Sequence, residues 1–318
     1  MLFELLGFLI SLVALSKISD FTVENLLEIA KLTKIEQWAL GFLLLSMVTC
    51  LPELSISTIS VIKQTEGIPI GVSLGSVVTD LGLGLGLGGI LYGIKISFKS
   101  LRKMIDILFL SSIIILILAF LPAGNRFSGL FLISVFVLFS LYSRKEKLKL
   151  ERLIYRPKTE FEKLLLPLKL YKHIFLFLLG GILVVIFSYS TVYYVAELAK
   201  VLKIPNAIIA ATLVSLGTSL PEISTSLSAL KKKKPTIAVS NLVGSSFIQL
   251  TLVLGIPSFF TNVFVENSEF LVAPALFTVL LTWFFLGEKG RGKIDFKEAS
   301  ILLAIYLMFL ALITWKLV

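Results

Sequence analysis

TCLPELSIS at residues 49–57 and TSLPEISTS at residues 218–226 are near copies of one another, and each lies inside a long apolar segment. Both place a Pro-Glu pair where a membrane span should be hydrophobic. An ionised glutamate is costly at the centre of a bilayer, and proline removes a backbone donor that lipid cannot replace, so both are tolerated where they line a polar cavity. Glu53 and Glu222 therefore read as a facing pair of cation ligands. The blander alternative is a structural hydrogen bond within a bundle, but packing alone gives no reason for a symmetric Pro-Glu pair.

The surroundings of both motifs are those of a membrane protein. Of the 318 residues 57% are apolar, mean hydropathy is +0.97, and apolar runs long enough to cross a bilayer recur along the chain. This composition excludes a soluble globular domain and indicates an all-α integral membrane protein. In a soluble chain the net charge of +10 would suggest nucleic acid. Here Lys and Arg concentrate in short loops between spans, so no nucleic-acid partner follows, and no obligate protein partner is evident. Cys50 is the single cysteine, which rules out an intrachain disulfide; its place in the motif makes it a pore-lining thiol or a packing residue. Residues 1–16 have neither a basic n-region nor a small-residue cleavage site and read as a retained first span.

Ten transmembrane helices are predicted, over roughly residues 2–30, 36–62, 68–94, 103–122, 127–143, 172–199, 205–230, 236–260, 268–287 and 298–316. With the N-terminus outside, the inner loops carry Lys31 and Lys34; Lys95, Lys99, Arg102 and Lys103; the run from Arg144 to Lys172; Lys231 to Lys234; and Lys289, Arg291, Lys293 and Lys297. Together these are 24 of the 30 Lys and Arg residues. The positive-inside rule then places both termini outside. Residues 144–171 read as a basic cytoplasmic connector between a first half, 1–143, and a second, 172–318.

The two halves are repeats. A shift of 169 residues aligns EIAKLTKI (28–35) with ELAKVLKI (197–204). Without a gap it then aligns Thr49 with Thr218, Pro52 with Pro221, Glu53 with Glu222, Gly75-Ser76 with Gly244-Ser245 and Gly86 with Gly255. The repeated units are 28–86 and 197–255. Five spans per half is an odd number, so the second half must enter the membrane from the opposite side. Inverted repeats of this kind belong to secondary transporters with a midplane site.

In each half the Pro and the preceding Thr/Ser are expected to interrupt the second helix, freeing carbonyls beside a carboxylate and hydroxyls. Such oxygens form a hard-cation site. Ser76 and Asp80 in the following span, and Ser245 and Gln249 in its counterpart, are four residues apart and share a helical face. The candidate ligand set is Glu53, Glu222, Asp80 and Gln249, with Thr49, Thr218, Cys50, Ser219, Ser76, Ser245, Ser46 and Ser215 beside them. Three carboxylates without a basic residue must bind cations, share protons, or both.

These segments resemble the two α-repeats of the cation/calcium exchanger superfamily, especially prokaryotic sodium/calcium exchangers. The resemblance spans the whole ten-helix layout. It implies central calcium ligation by Glu53 and Glu222, sodium sites built from Thr49, Thr218, Ser76, Ser245 and backbone oxygens, and completion of the cluster by Asp80 and Gln249. It further implies mutually exclusive binding of sodium and calcium, hence alternating-access exchange, with both ions as substrates and no cofactor. The chain departs from the family pattern at Val48 and Cys50, where Gly and Ser are usual, and at Val72 and Val77, where Asn is usual. Ser240, Ser246 and Gln249 also depart, whereas Asn241 is kept. The coupling ion is therefore open between sodium and protons, and the alternative reading is an exchanger of protons for calcium, or of another divalent cation, on the same scaffold.

Other features carry less. The series Gly82, Gly84, Gly86, Gly88 and Gly89 sits among leucines without a G-K-[ST] ending and reads as close helix packing, not a nucleotide loop. His173, the only histidine, is not expected to hold a metal. Glu28 with Lys31 and Glu197 with Lys200 read as interfacial ion pairs. No soluble catalytic motif appears, so an enzyme is not expected. A channel is disfavoured by a compact midplane site in inverted repeats, and an intramembrane hydrolase by the lone, distant histidine.

Overall fold

The computed structural model describes residues 2–33, 45–96, 99–120, 126–145, 160–261, 263, 269–287 and 292–315, nearly all of them helical. The first half contains α1 (Leu2–Thr33), α2 (Leu45–Thr49), α3 (Leu51–Ile62) and α4 (Ile68–Val78). From α4 a π-helical turn, Thr79–Gly84, runs directly into α5 (Leu85–Tyr92); β1 (Ile94–Lys95), α6 (Lys99–Phe120) and α7 (Arg126–Lys145) follow. The second half contains α8 (Glu160–Leu202) and α9 (Asn206–Ile209), the latter leading through a π turn, Ala210–Val214, into α10 (Ser215–Lys231). Then come α11 (Pro235–Ile248), a π turn at Gln249–Val253, α12 (Gly255–Phe260), α13 (Glu269–Leu286), β2 (Lys293–Ile294) and α14 (Phe296–Trp315).

Among the described residues, six helical runs are long and apolar enough to cross a membrane: Leu2–Leu26, Ile68–Tyr92, Leu168–Leu202, Asn206–Lys231, Pro235–Phe260 and Phe296–Ile313. Shorter apolar helices cover Leu51–Ile62, Phe127–Leu141 and Phe270–Leu286. Helix covers nearly all of the described part of each of the ten predicted segments, the exceptions being turn residues such as Cys50 and the strand residue Ile94. The start of the second one, with Lys34, lies outside the described residues, as do residues 146–159 of the connector, Lys289 and Arg291. From Glu160 onward the predicted connector is already helical, as the first three turns of α8. The 43 residues of α8 and the 32 of α1 would extend about 65 and 48 Å at 1.5 Å per residue, more than a hydrocarbon core of about 30 Å.

Local signals explain the helix boundaries. Pro52, Pro69 and Pro235 sit in the first turns of α3, α4 and α11, where a missing N–H leaves no helical bond unmade. Helices α3 and α10 end alike: Gln64 and Lys233, 169 apart, both take the left-handed conformation (φ 54° and 57°). After each, an amide closes back on the helix, Thr65 N to the Ser60 carbonyl and Lys234 N to the Ala229 carbonyl, both at 2.9 Å.

The repeat is also legible in the packing. Helix α1 packs on its counterpart α8, and α6 on its counterpart α13. Several other contacts occur twice: α3 with α8 and α10 with α1, α4 with α13 and α11 with α6, α5 with α14 and α12 with α7. The π turns that follow α4 and α11 fall at equivalent positions as well. A two-fold exchange of the halves is the simplest account of such paired contacts.

The expected helix interruption holds in one half only. Helix α2 stops at Thr49, Cys50 takes φ −82° and ψ 6°, and α3 starts at Leu51. In the second half α10 runs unbroken through Pro221. A helical proline crowds the carbonyl four residues back. That residue is Val48 in the first half and Gly217 in the second, and glycine leaves the backbone freer to adjust. The irregularity of the second half falls earlier, in the π turn at Ala210–Val214.

Glycines set how closely the core helices approach. A Cβ on Gly71 or Gly75 would come within 2.4 Å of the main-chain oxygen of Ala207 or Ala211 respectively, so α4 lies directly on the backbone of the second half. As expected of packing positions, Gly82, Gly86 and Gly89 face α14, whereas Gly84 and Gly88 face side chains of α10 and α11.

Candidate cation site

The break at Cys50 and the continuous α10 bring the two Pro-Glu motifs together at the centre of the bundle. Glu53 and Asp80 are fully buried and Glu222 is 1% exposed; they are the only charged side chains buried among the described residues. Ligand atoms of Cys50, Glu53 and Glu222 all lie within 4.8 Å of one another. An ion with metal–ligand distances of about 2.3–2.6 Å can touch all three.

Hydrogen bonding leaves this cluster short of donors. Both carboxylate oxygens of Glu53 and both of Glu222 have no partner, nor do Asp80 Oδ1, Gln249 Oε1, or the hydroxyls of Ser46, Ser76 and Ser219. Buried polar atoms are normally satisfied, because an unpaired one costs about 1–3 kcal/mol. A convergent set of unpartnered acceptors with no basic group is what a desolvated cation requires.

The repeats meet crosswise. Thr218 and Gln249 of the second half face Glu53, and Thr49 of the first faces Glu222, none forming a hydrogen bond of ordinary geometry to the carboxylates. Both threonine hydroxyls donate to their own helices, to the Ser46 carbonyl at 3.2 Å and the Val214 carbonyl at 3.1 Å. Their lone pairs therefore remain available. Ser245 Oγ donates to Asp80 Oδ2 at 2.6 Å, and Ser219 also faces Asp80. In the matching place across the pseudo-symmetry, Gln249 Nε2 approaches Cys50 Sγ at 3.9 Å. All twelve residues singled out from the sequence are thus buried. Ser215 likewise directs its hydroxyl back one turn, to the Ala211 carbonyl at 2.6 Å.

Three further residues support the site. Asn241 Nδ2 donates to the backbone carbonyl of Glu222 and to Ser226 Oγ, both at 3.1 Å, which clamps α11 onto the glutamate's turn. Val72 occupies the equivalent position in the first half, and there the hydroxyl of Ser57, counterpart of Ser226, is buried without a partner. Ser73 Oγ donates to the Gln249 carbonyl across the halves. Ser57 and Ser226 lie four residues after the two glutamates, a spacing the repeat itself exposes. Ser73 has Leu242 as its counterpart, so symmetry gives no signal for it.

Features outside the site keep to their structural readings. His173 Nδ1 lies 2.9 Å from Asn25 Oδ1, joining α8 to α1. Lys200 pairs with Glu197 at 2.8 Å on the surface, while the Lys31 side chain lies outside the described residues.

A helical bundle with membrane-length apolar helices around a buried, donor-poor acidic cluster defines a multi-pass membrane ion transporter. The sequence profile described as sodium/calcium exchanger protein matches residues 3–145 and 172–315, and the chain belongs to that family. Members are antiporters, not enzymes. Among curated relatives, the sodium/calcium exchanger MaX1 of Methanosarcina acetivorans is 29% identical, the alignment covering 96% of this chain and 97% of that protein. The inner membrane protein YrbG of Escherichia coli is 25% identical over 87% and 86%. The sodium-calcium exchanger NCX_Mj, in a structure soaked with Na+ and Sr2+, superposes with a TM-score of 0.67 at 26% identity, covering 98% of both chains.

Proposed function

We propose that this protein exchanges sodium for calcium by alternating access between two inverted five-helix halves, residues 1–143 and 172–318, with Glu53 and Glu222 as the central ligands. The observation that carries this reading is the pair of buried carboxylates at equivalent repeat positions, whose four oxygens have no hydrogen-bond partner and which each bring one oxygen within 4.8 Å of the other. Thr49, Thr218, Ser76, Ser245 and Ser219 surround them and supply neutral oxygens suited to sodium once calcium leaves. Family membership and the likeness to MaX1 support the choice of ions.

Topology follows the basic loops. Pairing of β1 with β2 (Ile94 to Ile294, Lys95 to Lys293) gathers the 95–103 and 292–297 segments at one end of the bundle, and a Cβ on Gly88 would touch Leu230, just before Lys231–Lys234. Three lysine-bearing turns at one end support a cytoplasmic face there and both termini outside, and the likeness to MaX1 and to the inner membrane protein YrbG supports residence in a prokaryotic plasma membrane.

The test is calcium uptake into proteoliposomes with an outward sodium gradient and a collapsed pH gradient. Sodium-driven uptake is expected. Uptake supported by a proton gradient alone would replace this reading with proton/calcium exchange, which the third carboxylate and the buried Val72 and Val77 would then explain.

Asp80 plays a lesser part in calcium binding. Its Oδ2 is engaged by Ser245, and it is not in the group of ligand atoms formed by Cys50, Glu53 and Glu222. Two carboxylate charges already match one divalent ion, and a third would be repelled by both. Asp80→Asn should therefore weaken calcium binding by less than about ten-fold, far less than Glu53→Gln. Calcium titrations of the two purified variants across pH compare them, and equal losses at neutral pH would place Asp80 in the coordination shell.

A further inference from the structure

The cross-facing pairs divide the site into two chemically different halves. On one side Ser219 and Ser245 face Asp80, an all-oxygen group. On the other, Cys50 Sγ lies 3.9 Å from Gln249 Nε2 and 3.9 Å from the Ser245 carbonyl oxygen. Cys50 and Ser219 are 169 residues apart, as are Asp80 and Gln249, so the chain has replaced a hydroxyl and a carboxylate on one side by a thiol and an amide. The thiol is 1% exposed and sits at the single non-helical residue between α2 and α3, which turns it toward the two glutamates.

We propose that Cys50 is a specificity-determining ligand that makes this site take a thiophilic divalent cation, of the cadmium or zinc class, in preference to calcium. The inference deepens the functional reading above, since it uses the same Glu53 and Glu222. Cys50 Sγ shares the 4.8 Å group with carboxylate oxygens that have no other partner. One sulfur and two carboxylates are a mixed donor set that calcium, which takes oxygen ligands only, does not exploit. When the metal binds, a metal–sulfur bond forms as the S–H bond breaks, and the proton leaves to solvent with the ion's shed water. No oxidation is involved. Contacts to the thiol from Gln249 and the Ser245 carbonyl hold the sulfur in place and bring no competing charge.

A soft cation so held also blocks transport. Exchange requires that the ion leave on the far side, and a metal–thiolate bond slows release. Cadmium should therefore bind tightly and inhibit calcium flux.

The experiment is a cadmium chloride titration of the purified full-length protein, followed by the sulfur-to-cadmium charge-transfer absorption in the ultraviolet. With a single cysteine in the chain, the band reports Cys50 alone. A band saturating at one cadmium per chain and suppressed by excess calcium is expected. Cys50→Ser should remove it and weaken cadmium relative to calcium, in competition assays, by at least about ten-fold. Absence of the band in the parent protein overturns the proposal, as does a band that calcium does not suppress, because the thiol then binds metal outside the cation site. Neither readout depends on transport. A calcium-suppressed band in a protein without sodium-driven uptake would leave this inference standing and remove the sodium/calcium exchange reading.

Discussion

Glu53→Gln and Glu222→Gln should each abolish calcium exchange in sealed proteoliposomes while the protein stays folded and inserted. The amide keeps the shape of the side chain and one carbonyl oxygen, so what is lost is a full charge in a buried place. Removing one member of a buried, paired charge set typically costs about 3–5 kcal/mol, which corresponds to roughly two to three and a half decades of calcium affinity. No protein donor is orphaned by the change, since none of the four carboxylate oxygens has a hydrogen-bond partner. Relief of like-charge repulsion should instead hold or raise the calcium-free melting temperature of either variant. Calcium binds the folded state and so raises the parent's melting temperature in proportion to RT ln(1 + [Ca]/Kd); in both variants this shift should vanish. A variant that keeps normal uptake and the calcium shift would remove that glutamate from the site.

The sequence made these two residues conspicuous because membrane spans tolerate so few charges. Glu53, Asp80 and Glu222 stood out against leucine and isoleucine, and the 169-residue register paired Glu53 with Glu222 without any coordinates. The geometry of their meeting was less accessible. Register tells which residues are equivalent, not which ones touch. The crosswise facing of Thr218 on Glu53 and Thr49 on Glu222 follows from the exchange of halves in space.

Backbone detail was harder still. Pro52 and Pro221 look identical in sequence, yet one begins α3 after a break and the other sits inside α10. The difference rests on a position four residues earlier, Val48 against Gly217, where a single side chain alters the room available to the proline ring. Nothing in hydropathy marks the π turns that carry Asp80 and Gln249, because one additional residue in a turn leaves the composition of a span unchanged. Of the clamp from Asn241 to Glu222, the sequence showed the amide, kept where the family pattern has one, but not its partner. Its asymmetry emerges when Val72 is found at the matching place with Ser57 left unpartnered.

Gly75→Val is expected to remove transport almost as completely as loss of a glutamate, by a different route. Helix α4 touches the second half along Gly71 and Gly75, and a Cβ at Gly75 would lie 2.4 Å from the Ala211 carbonyl oxygen and 2.6 Å from its Cα. Those are main-chain atoms of the π turn leading into α10, so no side chain can swing aside. Restoring ordinary contact near 3.4 Å requires the two backbones to separate by about 1 Å, the kind of misplacement that can cost a functional site about 100-fold. Overpacking of this kind also destabilises a fold by about 1–3 kcal/mol. The displaced segment carries Ser76 and continues into Asp80, while its neighbour leads to Thr218 and Glu222, so the separation opens the cluster where the halves meet. Gly181 in α8 is the internal control: nothing lies within 4 Å of a Cβ placed there, and alanine favours a helix interior over glycine by up to about 1 kcal/mol. Gly181→Ala should leave uptake intact and the melting temperature unchanged or slightly raised, while Gly75→Val lowers both. Equal behaviour of the two variants would show that close approach of α4 to the second half is not what holds the site together.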